Sequence, residues 1–179
     1  MSITNKRKNK SAKTKMTEAF FDLLETTPYK KIQILDICKK AGVSRQSYYC
    51  CFNDKSQIIS DFLDSKIDHI IHEVKVNNLS HDKAYDFVLD FFNENERVFK
   101  LIFKNKLDHL LVIETGKKIR ALYGDSYFGE DDADLAFAYY TCGFIGLIKK
   151  EFTSKGRIVD TQKTKQTLIN LINGHYIKD

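Results

Sequence analysis

The sequence predicts an all-α protein of about nine helices, arranged as a three-helix head and a larger helical domain. Three observations carry that prediction. The chain of 179 residues holds one Pro and eight Gly, so helix breakers are scarce. Apolar residues recur three and four apart along most of its length, the period that lines one face of an α-helix. No segment sustains the two-residue alternation of a half-buried strand. With 42% apolar and 12% aromatic residues, the chain can build a real hydrophobic core.

Taken in order, residues 1–10 are polar, basic and aperiodic, and read as a disordered arm. A helix starts near Ser11 and runs to about Glu25, with Met16, Ala19, Phe20, Leu23 and Leu24 on its buried face. Thr26-Thr27-Pro28 ends it, because the residue before a proline is pushed out of the helical region. A short helix over about 33–40 turns Ile34, Ile37, Cys38 and Ala41 inward. Gly42 closes it, since a residue without Cβ takes the left-handed conformation freely. Ser44 caps a third helix, about 44–51, through its hydroxyl. Asp54 with Gln57 resembles a capping box and opens a long helix to about Val76. Asn77-Asn78 break the chain and Ser80 caps the next helix. Helices follow over about 81–93, 95–104 and 106–123. Residues 124–130, with two glycines, read as a loop. A strongly apolar helix covers about 131–153, and a last one about 161–176. The predicted organisation is an arm over 1–10, a head over 11–55 and a C-terminal domain over 56–179.

Charge separates these parts. Residues 1–55 carry 12 Lys and Arg against 5 Asp and Glu, a net +7, and residues 56–179 carry 17 against 19, a net −2. A basic head on a near-neutral body suits a polyanionic partner, although a solvated basic tail has the same composition. The four cysteines, Cys38, Cys50, Cys51 and Cys142, fit no zinc spacing. No signal peptide is visible, and no run of about 18 apolar residues could span a membrane. A cytoplasmic protein with reduced thiols is expected.

The informative segment runs from Ile32 to Phe52: two short helices with Gly42 between them, a helix-turn-helix. Val43 plugs the angle between the helices. Ile34, Ile37, Ala41, Val43 and Tyr48 form a small core with Phe20 and Leu24. That leaves Arg45, Gln46, Ser47 and Tyr49 on the other side of the third helix, which can then enter the major groove of DNA. Arg45 can contact guanine through two hydrogen bonds and Gln46 adenine. Ser47 can reach a base edge or a phosphate, and the Tyr49 hydroxyl a phosphate. Gln33 and Ser44, at the starts of the two helices, complete the contact set. Lys55, and Lys6, Arg7, Lys8, Lys10 and Lys13 of the arm and first helix, can add phosphate or minor-groove contacts.

Over about residues 11–60 the chain resembles the DNA-binding domain of TetR-family regulators. Ala41-Gly42-Val43-Ser44, Tyr49, Phe52 and Asp54-Lys55 fall at the family's positions. The resemblance implies an all-helical dimer whose second domain dimerises and often binds a small ligand. The sequence departs from the family at Cys50 and Cys51, where large or basic residues are usual, and at Leu35, where a polar or basic contact is common. Cys50 and Cys51 read as small, semi-buried filler; a redox sensor would need a thiol made acidic by a cation such as Arg45.

In the second domain, the helix around Ala133–Phe152 is apolar on more than one face and must be buried on more than one side. A dimer interface of Leu135, Tyr139, Gly143 and Gly146, with Leu168 and Ile172 of the last helix, is expected. The two glycines permit close helix approach, although they could also line a pocket. From Tyr139-Tyr140 through Gly143-Phe144-Ile145-Gly146 to Lys149, over about 75–155, the chain looks like a C-terminal domain common in TetR-like regulators of low-GC Gram-positive bacteria. The aromatic residues of this domain are read as mostly core, with some available to a small apolar or aromatic ligand. His69 and His72 could hold a metal, but a solvated helix face accounts for them, and no metal or cofactor is expected. There is no Gly-rich phosphate loop, nucleophile elbow or HExxH, so no enzymatic activity is expected. The function these readings predict is a homodimeric, ligand-responsive repressor binding a palindromic double-stranded DNA operator, with no membrane partner. The alternative is a protein-binding co-regulator or adaptor on the same fold, with weak DNA binding.

Overall fold

The computed structural model describes residues 3–123 and 133–172; the side chains of residues 3–10, 81, 119, 122–123, 133–134, 136–137 and 172 lie outside that description. The loop expected over 124–130 and the last turn of the helix expected to reach Tyr176 fall outside it as well. Among the described residues there are nine α-helices, a short 3₁₀ turn and no strand, as an all-α chain requires. They are α1 Ile3–Thr26, η1 Tyr29–Lys31, α2 Ile34–Ala41, α3 Arg45–Tyr49, α4 Lys55–Val76, α5 His81–Glu94, α6 Glu96–Lys104, α7 Asp108–Tyr123, α8 Ala133–Lys155 and α9 Thr161–Ile172. α1 begins at Ile3, so the segment expected as an irregular arm is helical almost throughout. Its lysines and arginine are straight-chained and lose little rotamer freedom in a helix.

The chain forms two compact units, residues 1–64 and 65–179. The division falls inside α4 rather than at 55/56. The first turns of that helix belong to the core of the first unit: Ile58 and Ile59 are fully buried, and Phe62 meets Phe21 of α1 edge-on at 5.1 Å. Asp61 pairs with Lys13 of α1 at 2.6 Å.

Within the first unit, α1 packs on α2 and α3, and α2 on α3. Met16, Phe20, Leu24, Ile32, Ile37, Tyr48 and Phe52 fill the space between them and are all buried. Burying each such side chain contributes about 1.5–3 kcal/mol. Of the small core expected around the turn, Ile37 and Tyr48 are buried, while Ile34, Ala41 and Val43 are half-buried. On α1 the inward set includes Phe21 in place of Leu23, because Phe21 meets α4.

The second unit is built round an aromatic cluster from α5, α6 and α8. The Phe92 and Phe99 rings lie 4.4 Å apart, Phe103 and Phe152 5.5 Å, and all four are buried. Long-range polar contacts fix the helices. Asn93 of α5 accepts the Ile158 N–H and donates to the Ile158 carbonyl, both at 3.0 Å, holding the connection between α8 and α9. Lys165 of α9, itself buried, reaches Asp82 and Asp86 of α5 at 2.8 Å. Lys149 of α8 meets Asp108 of α7 at 2.7 Å. No helix of the described residues is long and apolar enough to cross a membrane.

Candidate nucleic-acid interface

The turn between α2 and α3 is made by local chemistry. Gln33 opens α2, its backbone N–H donating to the Asp36 carboxylate at 2.9 Å. Gly42 ends that helix at φ 64°, ψ 37°, and the Val43 N–H reaches back to the Cys38 carbonyl at 3.0 Å. This is the left-handed closure that a glycine makes without strain. Ser44 then caps α3: its hydroxyl accepts the Ser47 N–H at 3.1 Å and pairs with the Ser47 hydroxyl at 2.9 Å.

α3 covers only Arg45–Tyr49, shorter than the 44–51 helix expected. The Cys51 and Phe52 N–H groups both return to the Tyr48 carbonyl at 2.8 Å, which tightens the chain into a turn there. Tyr48 is the anchor of α3. It is fully buried, with Phe52 at 5.6 Å, and its hydroxyl has no partner among the described residues. Burial pushes its pKa well above the usual tyrosine value. Arg45, Gln46 and Tyr49 are exposed on the same helix, Tyr49 by 52%. A hydrogen bond with Tyr49 pushes the Arg45 pKa up further, so the guanidinium stays charged.

Lys55 takes a different place from the one its sequence position suggests. Its ammonium donates to the carbonyls of Tyr29 and Ile32 at 2.7 and 2.9 Å and sits over the Tyr29 ring at 4.4 Å. Burial pushes its pKa down. It ties the start of α4 to the α1–α2 connection instead of pointing a charge at a phosphate. The Tyr29 carbonyl already accepts the Ile32 N–H at 3.2 Å, and the ammonium, with three donors, adds a second bond to it while also reaching the Ile32 carbonyl. Lys13 is likewise committed to Asp61 and lies over the Phe52 ring at 5.5 Å. The side chains of Lys6, Arg7, Lys8 and Lys10 lie outside the described ones. Lys30 and Lys31, which the sequence reading passes over, are exposed on η1. Only a structure distinguishes such exposed lysines from those held by protein groups.

The cysteines divide. Cys38 is buried, Cys51 half-buried and Cys50 exposed, and none is in a disulfide. Semi-buried filler therefore describes Cys51 but not Cys50. Burial, and then the neighbouring Cys50, push the Cys51 thiol up, while Lys13 pulls it down. Arg45 acts on Cys38 instead, where burial still wins.

In the second unit, Leu135 and Tyr139 of α8 are 74% and 75% exposed, and Gly143 and Gly146 continue the same exposed stripe. A Cβ built on either glycine meets nothing within 4 Å. Leu168, by contrast, is core: the inner face of α9 docks on α5, and the exposed leucine of α9 is Leu171. The Ile172 side chain lies outside the described ones. His69 and His72 are exposed, and no group of three or more His, Cys, Asp or Glu could hold a metal among the described residues.

No family model and no curated protein matches the chain. Solved structures do. The dihydroxyacetone kinase operon activator DhaS matches with a TM-score of 0.52 at 18% identity, over 92% of this chain and 95% of its own. A Clostridium perfringens protein described as a fatty acid metabolism regulator matches with a TM-score of 0.55 at 18% identity, over 92% of this chain and 100% of its own. Both are named as regulators, neither as an enzyme, and what this chain shares with them at that identity is the fold.

Proposed function

We propose that the chain is a transcriptional regulator of the kind its head resembles, a TetR-like repressor that binds a palindromic operator as a homodimer and releases it on binding a ligand. One observation carries this reading: α3 is pinned by a fully buried Tyr48 while Arg45, Gln46 and Tyr49 stand exposed on it, in a segment of net charge +7 over residues 1–55. In this reading Arg45 and Gln46 read base edges, Tyr49 and Ser47 reach the backbone, and Gln33 and Ser44 sit where helix starts approach phosphates. Lys6, Arg7 and Lys8 add charge along the DNA. Lys55 has no DNA contact in this scheme.

The exposed stripe of Leu135, Tyr139, Gly143 and Gly146, with Leu171, supports pairing of two chains through α8 and α9. To read two half-sites of one palindrome, two copies of α3 need to lie about 34–36 Å apart, one turn of DNA, or somewhat more. A small apolar or aromatic ligand suits an interior rich in phenylalanine, and it would act by shifting the population of head spacings. Such a protein works in the cytoplasm. Likeness in fold to an operon activator and to a metabolic regulator supports the regulatory role.

A second reading, a protein-binding co-regulator with weak DNA affinity, is favoured by Leu35, an apolar side chain 45% exposed on α2. Selection of bound duplexes from a random pool separates the two. The first reading expects an enriched palindrome whose affinity falls steeply with salt. No enrichment over random DNA at physiological salt would favour the second. Arg45→Ala should relax preference at one base position; an equal loss on every sequence would remove its base-reading role.

A further inference from the structure

We propose that the adjacent thiols of Cys50 and Cys51, at the end of α3, chelate a trivalent arsenical, and that its binding takes α3 off DNA. The second half rests on the DNA-reading role proposed above; the first half does not.

Cysteine is among the most consistently buried residue types, so an exposed one beside a second calls for a reason. Cys50 is exposed, directly after Tyr49, and Cys51 is half-buried beside it. The turn that carries them is fixed, since the Cys50 N–H is held by the Gln46 carbonyl at 3.0 Å and the Cys51 N–H by that of Tyr48. A disulfide between neighbours is strained by its short bond and fixed dihedral. Inserting one atom between the sulfurs lengthens the bridge and lifts that constraint. Reversible oxidation also fits poorly, because burial holds the Cys51 thiol protonated and the thiolate is the reactive form.

The surroundings select among thiol-seeking ligands. A divalent cation would need further donors and a negative environment. Among the described residues no third His, Cys, Asp or Glu completes a set, and the Lys13 ammonium acts on Cys51. A trivalent organoarsenical is neutral, prefers soft sulfur ligands and needs only two of them, its third bond being to its own carbon substituent. The step balances without a redox partner. In the hydrated arsenical two As–O bonds break and two S–As bonds form; the two thiol protons leave with the hydroxyls as two waters, and arsenic stays trivalent. The product puts an arsenic and its substituent next to Tyr49, on the surface α3 would press against DNA.

The test titrates the full chain with phenylarsine oxide, following intact mass and free thiols, then repeats the titration with a selected operator present. We expect one adduct per chain with two thiols consumed, reversed by a dithiol but not by a monothiol. Cys50→Ser and Cys51→Ser should each loosen binding roughly 10²-fold or more, because chelation is lost, while Cys142→Ser leaves it unchanged. Operator affinity should fall at least roughly tenfold in the native chain and hold in Cys50→Ser. Both serine variants are checked for native melting, with Cys50→Ala as a second variant. An adduct that consumes one thiol, or that survives in both serine variants, overturns the site. A chain that carries the adduct and binds operator as before overturns the regulatory half. Tight two-thiol capture in a chain that prefers no DNA sequence upholds the site and overturns the DNA-reading role instead.

Discussion

In the first unit, Ser44 caps a helix three residues on and Gln33 meets Asp36 at the same spacing. In the second unit, Asn93 closes on Ile158 across 65 residues and Lys165 on Asp82 across 83. The first kind of contact is written in adjacent letters of the sequence. The second exists only once helices distant in the chain have been brought together, so it reports the topology and not the local motif. Lys55 shows the difference inside the head itself. Its partners lie 26 and 23 residues away, and it is the residue whose role the motif gets wrong.

Five substitutions would break or sharpen that contrast. Tyr48→Ala removes the anchor of α3 and should destabilise the first unit by about 3–5 kcal/mol in denaturant titration. Tyr48→Phe should be neutral or stabilising by about 1 kcal/mol, because the hydroxyl it removes is buried without a partner among the described residues. A large loss in Tyr48→Phe would mean that the hydroxyl is bonded in solution. Asn93→Ala strips the Ile158 N–H and carbonyl of their partner and should weaken the second unit by about 2–3 kcal/mol. Hydrogen exchange at the Ile158 amide should quicken, and unchanged protection would show that the long-range clamp is idle. Lys55→Met should lower stability by about 2 kcal/mol and leave the salt slope of DNA binding unchanged. A slope reduced by about one would return Lys55 to the phosphates. Gly143→Ala, smallest of all, should raise helix stability in the isolated chain by about 0.5–1 kcal/mol, since its Cβ meets nothing. The same methyl should weaken dimerisation, measured by sedimentation, if α8 pairs with a second copy.

The same contrast accounts for what could be read in advance. Gly42, Ser44 and Ser80 act where their types and spacing put them, because caps and left-handed closures are settled within four residues. The alternation of buried Tyr48 with exposed Arg45, Gln46 and Tyr49 follows from helical period alone. Leu168 illustrates the limit. Its stripe marks an apolar face on α9, but only the docking of α5 decides that this face is used within the chain. Cys50 illustrates another: its N–H still makes the helical bond to the Gln46 carbonyl, and it shares the exposed face of Gln46 and Tyr49, so only its burial tells it apart from half-buried Cys51.

Gly42 has one more consequence. It sits at φ 64°, yet a Cβ built there meets nothing within 4 Å. Gly156 is also left-handed, but its Cβ would meet the Lys100 side chain at 2.9 Å. At Gly42 the obstacle to a side chain is therefore chirality and not space. L-alanine there should cost on the order of 1 kcal/mol. D-alanine, introduced by chemical ligation of a synthetic N-terminal segment, should fit the same backbone and add roughly 0.4–1 kcal/mol by restricting the unfolded chain. The corner between α2 and α3 would accept a mirror-image residue more readily than any of its natural L counterparts.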